Sequence, residues 1–294
     1  MMPCCSSREW VLAILVFAAL FAAAPAEETS LPTAKYTLSC NIEIMFPQEM
    51  PPTERLEIIA AEGLTAYSFW HASPELAQEM ATAAKQLNLT CGSISGTGDA
   101  GWSTGLTKPG AENRYLEQIK EKIEIAQIVG CQNLICFVGQ RQADVPVDQQ
   151  RQQIVAGLRK AGDLAEKADL YIVLEPLSRP GHSHMTVLTA KEGFDIIEEV
   201  NHPHVKLDFD MFHLQLSEGN LINNLRRGLE KGWIRFVEVG DVPGRLEPGT
   251  GEVNYQNIFS ILRELGYDGY IGMEHGTSST PQHAIAAVKK MAFP

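Results

Sequence analysis

Short apolar runs alternate with longer amphipathic segments along most of the chain. Each short run predicts a buried parallel strand, and each longer segment repeats apolar positions at helical spacing. The predicted strands are residues 36–42, 64–70, 90–95, 133–137, 171–175, 205–210, 234–238 and 270–274. The predicted helices are residues 52–62, 74–87, 112–129, 149–167, 190–200, 221–231, 255–265 and 282–291. This repetition predicts the α/β class, and eight units fit a single closed (β/α)8 TIM barrel.

The predicted helices begin and end at residues typical of helix boundaries. Pro52 and Pro74 suit a first helical turn, where a missing N–H costs nothing. Glycines suited to a left-handed position follow four of the helices, at Gly63, Gly130, Gly232 and Gly266. No Gly-x-Gly-x-x-Gly pattern follows the first strand, which argues against a dinucleotide-binding fold. Long segments after the third and seventh strands, residues 96–113 and 239–254, are expected to be lids or binding loops.

The N-terminal segment has the pattern of a secretory signal peptide. Residues 10–24 form an uninterrupted apolar run, and Ala24 and Ala26 place small residues at cleavage-site spacing. This run is shorter than the ~20 residues that span a bilayer, so a cleaved signal is favoured over a membrane anchor. We expect residues 1–26 to be the signal peptide, 27–35 a linker and 36–294 the barrel. The protein is then exported, periplasmic or secreted, with no membrane association after cleavage.

Charge narrows the range of partners. The formal net charge is −12 at pH 7, which argues against nucleic acid and anionic membrane surfaces. The expected partner is a small-molecule substrate, a hydroxycarbonyl compound or sugar, and a homo-oligomer is compatible with the sequence.

Four cysteines follow the predicted signal: Cys40, Cys91, Cys131 and Cys136. An exported protein could pair them, but three lie within predicted strands, where small buried thiols are common. Free core cysteines are therefore favoured over disulfides. No Cys-x-x-Cys or Cys/His pattern suggests zinc.

Four carboxylates end the last four predicted strands, at Glu175, Asp210, Glu238 and Glu274. They are 35, 28 and 36 residues apart, about one strand and one helix each. The ends of barrel strands converge at the C-terminal mouth, so the four charges should meet there. Singly, each would more often pair with an arginine or lysine. Together they predict a divalent cation, and their oxygen ligands favour Mg²⁺ or Mn²⁺.

Other polar side chains are candidates for the same site. His213 lies three residues after Asp210 and could polarise a substrate oxygen, or it could cap the following helix. Asp208 should face the same side of its strand, one layer deeper, as a supporting group or in an ion pair with lysine or arginine. Arg245 could bind a carboxylate or hydroxyl of a small substrate, or be solvated. His182 and His184 could line the site or be exposed loop histidines. Trp70 and Trp102 could form an apolar wall of the site, and core packing is an equally good interpretation for Trp70.

Two facing carboxylates beside a metal can move a proton on a hydroxycarbonyl compound. The metal would bind adjacent carbonyl and hydroxyl oxygens and stabilise a cis-enediolate. One glutamate would remove the proton, and the same group or its partner would return it. We assign this acid/base pair to Glu175 and Glu274, with Asp210 and Glu238 chiefly holding the metal.

Several motifs resemble the hydroxypyruvate isomerase family of the xylose-isomerase-like barrel superfamily, over residues 35–277. The most specific is VGDVPGRLEPGTGEVNY, residues 239–255. Others are LGYDGYIGME (265–274), LEP (174–176), DMFHLQLSEGN (210–220) and the glycine-rich loop 98–105.

The resemblance implies metal ligation by Glu175, Asp210, position 238 and Glu274, and acid/base roles for Glu175 and Glu274. It implies substrate contacts for His213 and Arg245. Position 238 departs from the pattern, because Gln is typical of hydroxypyruvate isomerases and His of related ketose epimerases. The export signal is a second departure, because hydroxypyruvate and tartronate semialdehyde are cytoplasmic metabolites.

The resulting hypothesis is a divalent-metal-dependent isomerase or epimerase of a small hydroxycarbonyl compound, of the hydroxypyruvate-to-tartronate-semialdehyde type. One alternative is an exported metal-dependent hydrolase, lyase or epimerase of a sugar or keto-sugar derivative. Another is a non-catalytic sugar-binding protein, because fold alone does not decide function. A nucleic-acid repair enzyme is opposed by the acidic charge and the scarcity of histidine ligands.

Overall fold

The computed structural model describes residues 33–294. The predicted signal peptide, and residues 27–32 of the predicted linker, lie outside this range. The eight strands are β1 Thr37–Asn41, β2 Ala66–Phe69, β3 Thr90–Ser95, β4 Asn133–Cys136, β5 Tyr171–Leu174, β6 Val205–Asp210, β7 Ile234–Val239 and β8 Tyr270–Met273. The helices are α1 Pro52–Ala61, α2 Pro74–Leu87, α3 Glu112–Val129, α4 Val147–Lys167, α5 Arg179–His182, α6 Ala190–Val200, α7 Met211–Ser217, α8 Leu221–Glu230, α9 Tyr255–Glu264 and α10 Pro281–Ala292.

The strands form one closed parallel barrel in sequence order, so the predicted fold is confirmed. Closure is made by β1 and β8, where Thr37 pairs with Tyr270 and Cys40 with Met273. Every residue of β2 and β4 is buried, as expected for strands covered on one face by helices and on the other by the barrel interior. This topology brings the C-terminal ends of all strands to one mouth.

Three short elements were not predicted from the sequence. These are the single turn α5, the two-turn α7, and a π-helical turn, Ala100–Thr104, that continues into a 3-10 turn, Gly105–Thr107. Each is too short to display a helical period. All three follow strand ends at the C-terminal mouth, which places the irregular backbone beside the cavity described below.

The glycine and cysteine predictions are also confirmed. The four glycines predicted at helix C-terminal ends have φ between 65° and 74°. Cys40, Cys91, Cys131 and Cys136 are free and buried. Burial raises the pKa of the Cys40 and Cys136 thiols, so these groups are protonated at neutral pH. Within residues 33–294 no helix has the length and apolar character needed to cross a bilayer.

Candidate active site

The four carboxylates predicted from strand ends meet at the barrel mouth. Asp210 ends β6 and Glu238 lies in β7, while Glu175 and Glu274 directly follow β5 and β8. One oxygen of each lies within 4.8 Å of one oxygen of each of the others. We call this set the acidic cluster: Glu175, Asp210, Glu238 and Glu274. The register places Asp210 beside Glu238 and Glu238 beside Gly272, where a β-carbon would meet the Glu238 side chain.

Asp210 also caps the N-terminus of α7, and this role fixes the orientation of its side chain. Its Oδ1 accepts hydrogen bonds from the backbone N–H groups of Phe212 at 2.7 Å and His213 at 3.3 Å, so it caps α7. Its other oxygen, Oδ2, has no hydrogen-bond partner. The cap therefore leaves one oxygen free for the acidic cluster.

The acidic cluster is nearly inaccessible to solvent. Its four side chains belong to residues that are 1–6 % exposed. Burial raises the pKa of Glu175 and Glu238 well above the ordinary glutamate range, and the neighbouring carboxylates raise it further. Burial also raises the pKa of Asp210 and Glu274, while the Arg245 guanidinium acts in the opposite direction. Without a further cation, the cluster does not favour full ionisation.

Arg245 is the cation that the protein itself supplies. Its guanidinium contacts Glu274 and lies 3.7 Å from Asp210 Oδ2. It also lies over the Phe212 ring, 5.0 Å from the centroid. Glu274 accepts a second hydrogen bond, 2.8 Å long, from the indole Nε1 of Trp70. Trp70 thus contributes a polar contact in addition to the apolar surface predicted for it.

The loop that carries Arg245 is organised by a carboxylate to which no role was assigned from the sequence. We call residues 240–254 the β7 loop. Asp241 is 1 % exposed and accepts hydrogen bonds from four backbone N–H groups, those of Val242, Gly249, Gly251 and Val253. The motif DVPGRLEPGTGE is therefore a closed turn around one buried anion. A Ser/Glu contact adds to it, because Ser278 donates to Glu247 from both its backbone N–H and its hydroxyl.

His213 lies in α7 and faces the acidic cluster. Its Nδ1 accepts a 3.2 Å hydrogen bond from the Ser178 backbone N–H, so the neutral ring carries its hydrogen on Nε2. That Nε2 lies 3.6 Å from Glu175 Oε1 and from Asp210 Oδ2. Burial, followed by the nearby Arg245 charge, lowers the pKa of His213 to about 3. His213 is therefore a neutral donor, not a cation, at physiological pH.

Asp208 lies one layer below the acidic cluster, as predicted, and no lysine or arginine of the described residues pairs with it. It is 0 % exposed; burial and the neighbouring Asp210 raise the pKa of Asp208, and a hydrogen bond shared with Glu238 acts in the opposite direction. Asp210 Oδ2 has no hydrogen-bond partner. A buried oxygen left without a partner, in a set of carboxylates alone, fits a divalent cation of the Mg²⁺ or Mn²⁺ type.

The opposite side of the mouth is mainly apolar, although Asn41, His71, Ser93, Ser95 and Asp99 also line the cavity. A cavity of about 460 Å³ extends from Glu175, Glu238 and Glu274 across to the ends of β2, β3 and β4. There it is bordered by six side chains that we call the apolar wall: Phe69, Trp70, Ile94, Trp102, Ile135 and Phe137. His182 also lines the cavity, whereas His184 does not.

Residues 56–292 match the model of a family described as xylose isomerase-like TIM barrel. The chain belongs to this family. Its relatives include hydroxypyruvate isomerase of Escherichia coli, which is 29% identical over 180 residues, 60% of this chain and 68% of that protein. The 2-oxo-tetronate isomerase of Cupriavidus necator is 26% identical and covers 82% of this chain and 94% of its own length.

Solved structures share the xylose isomerase-like fold at lower identity. An AP endonuclease of family 2 from Brucella melitensis has a TM-score of 0.77 and 23% identity, and covers 87% of this chain and 98% of its own. The 3-keto-D-glucoside 4-epimerase of E. coli has a TM-score of 0.72 and 20% identity, with coverages of 87% and 99%. The IOLI protein, solved with a zinc atom, has a TM-score of 0.69 and 19% identity, with coverages of 87% and 96%.

Proposed function

We propose that the protein is an isomerase or epimerase of small hydroxycarbonyl compounds, of the type that interconverts hydroxypyruvate and tartronate semialdehyde. The observation that carries this proposal is the acidic cluster at the barrel mouth, with its glutamates lining a substrate-sized cavity. The names of the hydroxypyruvate and 2-oxo-tetronate isomerases among the relatives support the same reaction class.

Glu175 and Glu274 are proposed as the acid/base pair. Both line the cavity, and both have a raised pKa that makes the carboxylate a stronger base than an exposed glutamate. One takes the proton from the hydroxyl-bearing carbon next to the carbonyl, and the same group or its partner returns a proton either to that carbon or to the carbonyl carbon; in the second case the hydroxyl proton passes to the former carbonyl oxygen. Return to the neighbouring carbon isomerises the substrate, and return to the opposite face of the same carbon epimerises it.

The other side chains hold and polarise the substrate. The Nε2–H of neutral His213 is directed at the cluster and can donate to a substrate oxygen beside Glu175. Arg245 offsets the charge of Glu274 and can contact a substrate hydroxyl. Both groups would favour negative charge that develops on oxygen during proton transfer.

Glu175, Asp210, Glu238 and Glu274 would hold a divalent metal, for which the all-oxygen donor set favours Mg²⁺ or Mn²⁺. When bound, such a metal polarises the substrate carbonyl and acidifies the neighbouring C–H bond. The zinc atom in the IOLI protein is in keeping with a metal site on this fold.

The experiment that tests this proposal is NMR of the purified protein in D₂O with Mg²⁺ or Mn²⁺ and hydroxypyruvate, 2-oxo-tetronate or simple ketoses. Deuterium should enter the carbon next to the carbonyl as substrate is isomerised. Products of lower mass without exchange would instead identify the hydrolase or lyase alternative. Ligand binding without turnover would identify a sugar-binding protein.

We also propose that the protein is exported, on the strength of the apolar run and cleavage-site residues within positions 1–26. N-terminal sequencing of the protein recovered outside the cytoplasm should begin at Glu27. Recovery of the intact N-terminus in the cytoplasm would contradict export.

A further inference from the structure

The backbone conformation of Arg245 is unusual for its residue type. Among the described residues, five that are not glycine have a positive φ, and Arg245 is one of them, with a φ of 50°. The other four are the short polar residues Asn88, Asp169, Asn201 and Asn220. Asparagine and aspartate enter this left-handed region several times more often than other residues, whereas a long side chain is rarely found there. Such a conformation persists only where the surrounding structure holds it.

This conformation bears directly on the acidic cluster. The angle φ sets the direction in which the Cα–Cβ bond leaves the loop, and from this conformation the guanidinium reaches Glu274 and lies 3.7 Å from Asp210 Oδ2. The Arg245 side chain is 28 % exposed, so most of it is enclosed. The contacts that hold the Arg245 backbone are therefore the contacts that hold its guanidinium in the barrel mouth.

Both backbone polar groups of Arg245 are hydrogen-bonded. Its N–H donates to the Asp241 carbonyl at 2.8 Å, within the β7 loop. Its carbonyl accepts a 2.8 Å hydrogen bond from the N–H of Gly276. Gly276 belongs to residues 274–280, which we call the β8 segment and which begin at Glu274. This second bond joins the loop that carries Arg245 to the segment that carries Glu274.

Glu247 makes a second link between these two parts of the chain. It lies two residues after Arg245 and is 1 % exposed. Its carboxylate accepts hydrogen bonds from the Ser278 backbone N–H, at 2.9 Å, and from the Ser278 hydroxyl, both in the β8 segment. His283 Nε2, in the first turn of α10, lies 3.7 Å from Glu247 Oε1. Glu247 does not line the cavity, and the proposed reaction gives it no role.

The two buried carboxylates of the β7 loop differ in where their partners lie. The four N–H groups that donate to the Asp241 side chain all belong to the β7 loop itself. The side-chain partners of Glu247 lie outside the loop, in the β8 segment and α10. Asp241 therefore shapes the loop, whereas Glu247 sets the position of the loop relative to Glu274.

We infer that Glu247 is a positioning residue for Arg245. By joining the β7 loop to the β8 segment, it holds Arg245 in its left-handed conformation and keeps the guanidinium against Glu274. This inference rests on the proposed function and adds to it a residue that acts from outside the cavity, through Arg245.

Replacement of Glu247 tests this link. Glu247→Ala removes the contacts with Ser278 and should lower kcat/KM about tenfold, because a small displacement of a positioned group is costly even when its cause is distant. Glu247→Gln keeps one acceptor oxygen for Ser278 and should recover most of the loss. The matched control is Glu252→Ala, with wild-type activity expected, because Glu252 lies in the same loop and makes an exposed contact with Gln215. Deuterium exchange in D₂O with Mn²⁺ and hydroxypyruvate, 2-oxo-tetronate or a simple ketose gives the rates.

A double-mutant cycle separates positioning from general support of the fold. If Glu247 acts through Arg245, the Arg245→Ala variant already contains the loss. Adding Glu247→Ala to it should then lower kcat/KM by less than about twofold more. Losses that multiply, or wild-type activity in Glu247→Ala alone, would overturn the inference. Urea unfolding of each variant shows that the compared proteins are folded.

The NMR signal of the Arg245 Nε–H group gives a readout that does not depend on activity. It is assigned by its absence from Arg245→Ala, and it is recorded with Mg²⁺ and again in EDTA. In Glu247→Ala the signal should shift or broaden as the guanidinium loses its fixed contact with Glu274, and in Glu252→Ala it should stay unchanged. Absence of deuterium exchange with every compound would overturn the proposed function alone. An Arg245 signal that Glu247→Ala leaves unchanged in both states would overturn the inference, whatever the activity.

Discussion

The acidic half of the barrel mouth, which holds the acidic cluster and Arg245, and the apolar half, which holds the apolar wall, differ in the contacts that hold their loops in place. On the acidic half, the β7 loop is closed around Asp241, which receives four backbone N–H groups, and Arg245 is fixed against Glu274. On the apolar half, the loop that carries Trp102 is held at Asp99 by exposed groups, Arg114 at 2.6 Å and Gln118 at 2.8 Å. Exposed ion pairs contribute little to stability. The comparison teaches that Arg245, which is proposed to act in the chemistry, lies on a loop closed around a buried carboxylate, whereas Asp99, which precedes the turn that carries Trp102, makes exposed contacts.

The largest expected effect on activity comes from replacing one of the two proposed acid/base glutamates on the acidic half. Glu175→Gln or Glu274→Gln keeps the side-chain shape and should lower kcat by about 10³-fold, because general acid–base catalysis typically contributes 10²–10⁴. Glu264→Gln is the control, since Glu264 is exposed and pairs with Arg226 outside the mouth. Steady-state kinetics, with metal content measured in each variant, provides the test. Full activity in both cluster variants would refute the acid/base assignment.

A second prediction concerns the stability of the metal-free protein. The cluster carboxyls have raised pKa values when folded, so the folded state binds more protons than the unfolded one and the unfolding free energy falls as pH rises. This loss of unfolding free energy is absent at pH values below the ordinary glutamate pKa of about 4.3, and it is complete at pH values above the raised pKa of the folded protein.

Glu238→Gln removes one of these carboxyls. At pH 8 in EDTA it should raise the unfolding free energy by about 1–3 kcal/mol, with little change at pH 4.5. Urea unfolding at both pH values is the measurement. Mg²⁺ or Mn²⁺ should stabilise the wild type by ~2.7 kcal/mol at 100 times Kd, and the variant less at the same concentration. A variant less stable than wild type at pH 8 without metal would contradict the prediction.

The third prediction tests why the acidic half is fixed. Asp241→Ala leaves four backbone N–H groups, one buried and three partly buried, without their acceptor and should lower the unfolding free energy by about 1–3 kcal/mol. It should also weaken the Arg245 contact and lower kcat. Asp241→Asn, which keeps one acceptor oxygen, should recover part of both losses. Asp268→Ala is the control, because Asp268 is exposed. Equal activity in Asp241→Ala and wild type would show that the loop does not depend on this anion.

The smallest expected effect probes the apolar half. Cys40, Cys91 and Cys136 belong to β1, β3 and β4, and burial raises the pKa of each thiol. Iodoacetamide reacts with thiolates, so at pH 8 these residues should remain unmodified in the native protein and react in urea. Mass spectrometry of tryptic peptides measures this. Rapid native modification of Cys136 would indicate that this half of the barrel opens more readily than its packing suggests.

The sequence predicted the barrel because its strands are local apolar runs and its helices end at proline and glycine. The acidic cluster was also predictable from the sequence. Glu175, Asp210, Glu238 and Glu274 occupy equivalent strand ends, and a closed parallel barrel brings those ends together at one mouth. Arg245 and His213 were named as candidates, but their partners were not, because ion pairs across strands depend on side-chain positions. Asp241 was missed although its motif was noted, since four donors spread over residues 242–253 converge only once the loop closes.

The position of Trp102, in a turn at the edge of the cavity, also bears on how molecules enter and leave the cavity. Opening the β7 loop would break the hydrogen bonds of four backbone N–H groups to Asp241. We therefore expect molecules to enter and leave on the side of the π-helical turn, Ala100–Thr104. A substrate that enters there would pass the indole of Trp102, which contacts with Phe137 and His182 hold at the edge of the cavity.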